Sequence, residues 1–363
     1  MKCFKLMAVI LAFLLLTMPC AAAFDGEEET DGLYHYLPED EAAVVQEAKT
    51  GTGYDLNRGI SGLIEKMYAE MGGILKKGLS SAACLLAVSL LCSLAALWIG
   101  DKSSFGAYTV NSAAVGTVLV VGARELGSAL GQATELLNEL NVFSKALLPA
   151  MTAAGAAAGG GGAAIAKQGA ALLFADVLIT LFVQVFIPMT YVTLALRAVG
   201  ILSQNTFFTR FSAFIKNTAS LVIRTLLTLY LAYISVMGLV GSAADTLAKK
   251  AAKTAVSAGI PVVGGVLTEA AESIYAGSAM IKNTLGVFGV LAILSCALLP
   301  LLSTGVSYLA LRAAAALAQS AQEHGGREAI DAVADAVSIV FAMCAGAVAL
   351  LLLTVIICMK TAI

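Results

Sequence analysis

The sequence predicts an all-α fold, a polytopic membrane helix bundle of about seven spans with amphipathic helices at the membrane interface. Its composition is the first reason: 59% of the 363 residues are apolar and only 13% are charged, far from the averages of soluble proteins. The second is that several windows of about 20 residues contain no Asp, Glu, Lys or Arg. Backbone groups cannot stay unpaired in lipid, so each window that crosses must be helical.

The first residues have the features of a cleavable secretory signal peptide. A short basic start, an apolar run and small residues that end at Ala23 predict a leader over residues 1–23. Residues 24–58 are acidic and contain few apolar side chains, which predicts a flexible extracytoplasmic segment. Over residues 59–77 apolar side chains recur at helical spacing, and this pattern predicts an amphipathic helix along the membrane surface.

The remaining residues, 78–363, form the predicted multi-span membrane domain. Charge-free windows place the spans near residues 79–99, 107–123, 146–166, 172–196, 221–243, 284–304 and 337–358. Further amphipathic helices are predicted near residues 124–141 and 262–283. If all the windows cross, the C-terminus lies inside the cell. Without a crossing at 107–123 the orientation reverses, and the basic residues of the loops do not decide between the two arrangements.

Glycine and proline mark candidate hinge and packing positions. Residues 153–167 are nearly all Ala and Gly, which favours close helix packing or a broken helix inside the bundle. A phosphate loop is excluded because Gly-Lys-Ser/Thr does not follow, and a pore-lining or hinge segment is the alternative. The candidate residues are Pro149, Gly159, Gly160, Gly161, Gly162, Pro261, Gly264, Gly265 and Pro300.

Asp176 and Gln184 are the candidate intramembrane polar residues. Asp176 either faces the bundle interior as a functional group or lies at the interface, depending on where its span begins. No second intramembrane carboxylate or histidine accompanies it, and the chain has no HExxH or GxSxG motif. The sequence therefore predicts no enzyme, no metal site and no cofactor. The net charge of −2 gives no indication of nucleic-acid binding.

The amphipathic stretch at 262–283 carries the candidate partner-docking residues. Apolar side chains spaced by threes and fours form one stripe that includes Val263 and Ile274. Glu269, Glu272 and Lys282 lie on the other side. Burial of the stripe would hold the helix at the membrane and leave these charges for a partner subunit.

The same region carries a resemblance to a known family. The run "AGIPVVGGVLTEAAESIYAGSAMIKNTLGVFGV" resembles the corresponding region of the stage III sporulation protein AE family, polytopic membrane proteins of endospore-forming bacteria. The resemblance covers about residues 75–363. It rests on Ile260-Pro261-Val262-Val263-Gly264, Thr268-Glu269-Ala270 and Lys282-Asn283-Thr284, and extends through "FSKALLPAM" and "LSCALLP".

The resemblance implies a non-enzymatic membrane subunit of the channel-like complex between mother cell and forespore, either a membrane platform or an export-gate component. It implies a place in the mother-cell membrane that faces the forespore. The partners it implies are the bilayer and other products of the same operon: a secretion-type ATPase, ring-forming proteins and small membrane proteins. The alternative is a stand-alone secondary transporter or permease for a small solute. "ALLP" occurs at Ala146–Pro149 and Ala297–Pro300, which is weak support for the internal repeat of many transporters.

Overall fold

The computed structural model describes residues 27–50, 53–99, 104–157, 162–259, 264–318 and 324–360. For residues 234–259 and 264–282 the description covers the backbone and not the side chains. The predicted leader at 1–23 lies outside the described residues. So do four of the candidate hinge residues, Gly159, Gly160, Gly161 and Pro261.

Almost all of the described chain is helical. The helices are α1 (Glu27–Tyr34), α2 (Glu39–Glu47), α3 (Leu56–Ile99), α4 (Ser104–Ala157), α5 (Gly162–Leu181), α6 (Ile187–Leu202), α7 (Thr206–Gly259), α8 (Gly264–Ala318) and α9 (His324–Lys360). A π-helical turn, Phe182–Phe186, joins α5 to α6. Two short antiparallel strands, β1 (Lys49–Thr50) and β2 (Gly53–Tyr54), lie between α2 and α3.

Four helical stretches in the described part of the chain are long and apolar enough to cross a membrane. They are Leu56–Leu91, Gly169–Leu202, Asn283–Ala318 and Gly325–Met359. They overlap the spans predicted near residues 79–99, 172–196, 284–304 and 337–358. The prediction of a helical fold is therefore confirmed, with four helical stretches capable of crossing a membrane, and the seven-span topology stays a prediction.

Helix α9 lies at the centre of the bundle, where it packs against α8, α4, α6 and α7. In its most apolar window 78% is buried inside the protein, against 22% in that of α3. Gly286 lies against Met359 and Gly305 against Phe341, so α8 and α9 run antiparallel. These two apolar helices form the core around which the others are arranged.

Helices α3 and α4 flank α8 in a fixed register. A Cβ on Gly289 would lie 2.4 Å from the Leu147 side chain, so the glycine permits a close approach of α4 and α8. Gln132 of α4 meets Ser303 further along, which makes these helices antiparallel. Gly59 and Gly78 of α3 lie beside Leu291 and Val306, so α3 runs parallel to α8.

Residues 27–50 and 53–58 are folded, which differs from the flexible segment predicted at 24–58. Tyr34 and Tyr54 share a hydrogen bond of 2.8 Å between their hydroxyl groups. Both rings contact Phe288 of α8, with centroid distances of 5.2 and 5.5 Å. Leu33, Leu37, Val45 and Tyr54 are buried in the same core. These few apolar and aromatic side chains hold the segment on α8, although its overall composition is acidic.

An ionic cluster ties α7 and α8 to the first turns of α9. Asp335 of α9 pairs with Lys216 of α7 and with Arg312 of α8. Arg312 also donates a hydrogen bond of 2.7 Å to Asp331. The Asp335 side chain is 16% exposed and that of Arg312 is 36% exposed. Asp335 is therefore the shared anion of two cations on two different helices.

We expect Asp335→Asn to lower the free energy of unfolding by about 1–3 kcal/mol, because two partly buried cations lose their shared anion. Asp331→Asn should cost less, because Arg312 keeps Asp335. Unfolding of the purified protein in detergent, followed by circular dichroism, measures both. Equal losses from the two variants would contradict the bridging role of Asp335.

Candidate functional site

A polar cavity lies between α3, α4 and α8 and is closed on one side by α2. Its volume is about 550 Å³. Its described lining contains the carboxylates Glu41, Glu70, Glu125, Glu135 and Glu139. Lys77 is the basic residue of that lining, and Lys66 forms an ion pair with Glu41 at 3.4 Å. The cavity is therefore acidic and polar, although it adjoins an apolar helix.

Hydrogen bonds across the cavity join the three long helices. Ser81 of α3 and Ser307 of α8 donate to the two carboxylate oxygens of Glu125, at 2.9 and 3.3 Å. Ser303 of α8 donates to Oε1 of Gln132 at 2.6 Å. The polar groups of α4 thus fix the distance of α4 from both neighbours.

Pro300 gives α8 its polar face at this point. It has no N–H to donate to the carbonyl oxygen of Cys296, so one bond of the helix is missing beside the cavity. Ser303 and Thr304 turn back and donate to the carbonyl oxygen of Pro300, at 3.2 and 2.7 Å. This is the local structure at Pro300, which the sequence predicts to be a hinge or packing residue. Pro149 likewise lies inside α4.

The cavity is of functional interest because it lies beside the apolar, charge-free part of α8. Cys296, Pro300 and Ser303 belong to the charge-free stretch 283–311 of α8. The register places residues 59–78 of α3 and 132–147 of α4 beside that stretch. Charged side chains at membrane depth are tolerated where they face protein or a water-filled cavity. This arrangement can provide a hydrated cavity beside α8.

Asp176 has a basic partner in the structure. Lys145 of α4 approaches its Oδ1 to 2.7 Å. The two side chains are 50% and 37% exposed, respectively. In the sequence Asp176 has no partner carboxylate or histidine, and Lys145 is not apparent as its partner because only the packing of α4 against α5 brings the two together.

Gln184 lies in the π-helical turn between α5 and α6, and its side chain is exposed. The turn has a local cause. Pro188, near the start of α6, has no N–H for the carbonyl oxygen of Gln184. The helix widens there instead of breaking, and Ile187 donates to the carbonyl oxygen of Phe182.

The cavity residues cannot be recognised as a group from the sequence. Glu125, Glu135 and Glu139 lie between the charge-free windows, in the amphipathic helix predicted near 124–141. Only the packing of α4 on α8 brings them beside an apolar helix. A signal was present in α8, where Ser303, Thr304 and Ser307 follow Pro300 at helical spacing. In the described part of the chain, no group of three or more His, Cys, Asp or Glu side chains is arranged to hold a metal ion.

Comparison with known proteins identifies the family. The family model described as "Stage III sporulation protein AE (spore_III_AE)" matches residues 44–362. The chain belongs to this family. A relative named "Stage III sporulation protein AE" from Bacillus subtilis (strain 168) is 25% identical over 199 residues. That match spans 54% of this chain and 50% of the relative, about half of each. No solved structure matches the chain.

The family and the four apolar helical stretches make the chain a multi-pass membrane protein of sporulation. The matched region includes the candidate docking residues Glu269, Glu272 and Lys282. All three lie in α8, which begins at Gly264 and continues without a break to Ala318. Gly264 and Gly265 are its first two residues, and Gly162 begins α5. The side chains of residues 264–282 lie outside the described part.

Glu139 is a carboxyl group of the cavity lining whose pKa is shifted by its surroundings. Desolvation raises its pKa above the ordinary value of 4.5, and the neighbouring Glu41 and Glu135 raise it further. Folding therefore favours the protonated form of Glu139. Its contribution to stability is greatest below about pH 4.5 and is lost as the pH rises through the raised pKa.

Glu139→Gln should consequently stabilise the protein more at pH 8 than at pH 4.5, because the amide removes a partly buried charge that is more fully formed at the higher pH. Thermal unfolding in detergent at the two pH values measures this difference. Glu65→Gln, at an exposed position of α3, is the matched control and should show no comparable gain. A Glu139→Gln gain that is equal at both pH values would contradict the burial of a carboxylate here.

Proposed function

We propose that this protein is a non-enzymatic membrane subunit of the mother cell–forespore complex, in which it acts as a platform or export-gate component. Its family membership supports a role in sporulation. The observation that carries the more specific role is the continuity of α8. One helix bears the candidate docking residues near its N-terminal end and lines the polar cavity further along.

Docking at Glu269 and Glu272 would therefore act on the cavity through a rigid element. The two residues are three positions apart and share a helix face. About 24 residues separate Glu272 from Cys296, which corresponds to about 36 Å of helix. A partner that moves the start of α8 would shift Ser303 and Pro300 against α3 and α4. Other subunits encoded with this protein, including a secretion-type ATPase, ring-forming proteins and small membrane proteins, are the proposed partners.

The location follows from the same proposal. The protein would lie in the mother-cell membrane that faces the forespore, with a leader removed after Ala23 and residues 24–77 outside the cytoplasm. The further crossings near 107–123, 146–166 and 221–243 would complete the seven-span topology.

A stand-alone secondary transporter or permease is the second candidate function, and the polar cavity is the observation that favours it. Such proteins hold their substrate between helices that contain proline or glycine, and Pro300 removes one backbone hydrogen bond from α8 beside the cavity. This candidate requires that the chain alone, in liposomes, carries a solute. It also requires that sporulation survives the loss of contact with other subunits.

Charge reversal at the docking residues tests the proposed function. We expect Glu269→Lys with Glu272→Lys to leave membrane insertion and abundance normal, because the charges do not hold the helix in place. Co-purification of the partner subunits from sporulating cells should fall at least tenfold, and spore formation should fall with it, because charges at an interface chiefly select the partner.

The control variant is Glu47→Lys with Glu328→Lys, which makes the same change in net charge at exposed positions of α2 and α9. It should keep both partner binding and sporulation. If the Glu269/Glu272 variant co-purifies its partners and sporulates at the wild-type frequency, the docking role is wrong. Loss of sporulation with full partner binding would support the transporter instead.

A further inference from the structure

Gln184 is an exposed amide near the middle of an apolar membrane segment. The charge-free stretch of this segment runs from residue 177 to 196, and Gln184 lies close to its centre. Its side chain is exposed. No described residue forms a hydrogen bond with it. In a bilayer this amide would face hydrocarbon, where an unpaired polar group is strongly unfavourable.

The surface around Gln184 faces away from the bundle. In its most apolar window the segment Gly169–Leu202 is 35% buried, against 78% for the central α9. The exposed residues Leu173, Val177 and Thr180 lie 11, 7 and 4 positions before Gln184 and therefore on the same side of the helix. We call these four residues the Gln184 stripe. It combines an apolar contact surface with one central polar group.

An amide constrains which partner satisfies it, because it carries both donors and an acceptor. A second amide in the opposite orientation pairs with it completely. A two-fold axis through the contact produces that orientation from two identical surfaces. Side-chain hydrogen bonds of this kind stabilise helix pairs in membranes. The stripe is therefore self-complementary in its hydrogen bonding.

We propose that the Gln184 stripe is a contact between two copies of this chain in the membrane, with the two Gln184 side chains hydrogen-bonded across a two-fold axis. The partner is a second copy of the α5–α6 segment. The π-helical turn supports this contact, because Pro188 fixes the widening of the helix at the residue that must meet its counterpart.

Disulfide cross-linking of the full-length chain, expressed without other sporulation proteins, tests the contact. Gln184→Cys should give a cross-linked dimer on oxidation in membranes, at least fivefold above the unsubstituted chain. Leu229→Cys, at an exposed position of α7, is the matched control and should stay at the background level. Absence of a Gln184→Cys dimer would overturn the proposal. Equal cross-linking at Leu229→Cys would do the same.

The hydrogen bond is tested separately by the dimer dissociation constant, measured by fluorescence energy transfer in lipid vesicles. Gln184→Leu should raise it roughly 3- to 20-fold, the range expected for one or two hydrogen bonds between membrane helices. Gln184→Asn keeps the amide and should retain part of the affinity. Because leucine is compatible with lipid, normal insertion of Gln184→Leu is expected and is checked by its abundance.

An unchanged dissociation constant in Gln184→Leu would overturn the amide pairing. A wild-type chain that is monomeric in vesicles would overturn self-association.

Discussion

The enclosure of α9 is the constraint on which the rest of the structure depends. Its most apolar window is 78% buried, and the helix packs against α8, α4, α6 and α7. Among the described residues of α9, no large apolar side chain is exposed. A helix enclosed in this way fixes the register of its neighbours: α8 runs antiparallel to it through Gly286 and Gly305, while α7 runs parallel to it from Lys216 to Tyr230. The lipid-facing surface is left to the outer helices.

The polar cavity follows from that arrangement. With α9 covering one side of α8, the amphipathic parts of α3 and α4 cover another, at the level of the charge-free stretch of α8. Their carboxylates cannot face lipid at that depth without a large cost. Among them, Glu125 accepts a hydrogen bond from Ser307, and the neighbouring amide of Gln132 accepts one from Ser303, two of the hydroxyl groups that follow Pro300. In the proposed function, the long helix α8 would pass a partner's movement from the candidate docking residues to this polar cavity.

The sequence predicts the parts of this structure that depend on local pattern. Charge-free windows locate the apolar stretches of α8 and α9, because hydrophobicity alone determines which helices can cross. What the sequence does not predict depends on contacts between distant residues. The folding of residues 27–50 and 53–58 rests on Phe288, and the pairing of Asp176 rests on Lys145. The cavity rests on the register of α4 against α8, which no periodicity in either helix specifies. Over residues 27–50 and 53–58 the acidic composition predicts flexibility, whereas a few apolar and aromatic side chains pack against α8.

The reactivity of thiols introduced along α8 tests whether a hydrated cavity lies beside this apolar helix. Ser303→Cys and Ser307→Cys place thiols on the cavity side, and Leu221→Cys places one on the exposed side of α7 at about the same level. A hydrophilic maleimide is applied to intact membranes, and mass spectrometry reads each site separately from the native cysteines. The thiols at 303 and 307 should react at least tenfold faster than the thiol at 221, which would face lipid. Slow reaction at 303 and 307, or equal reaction at all three sites, would contradict a hydrated cavity.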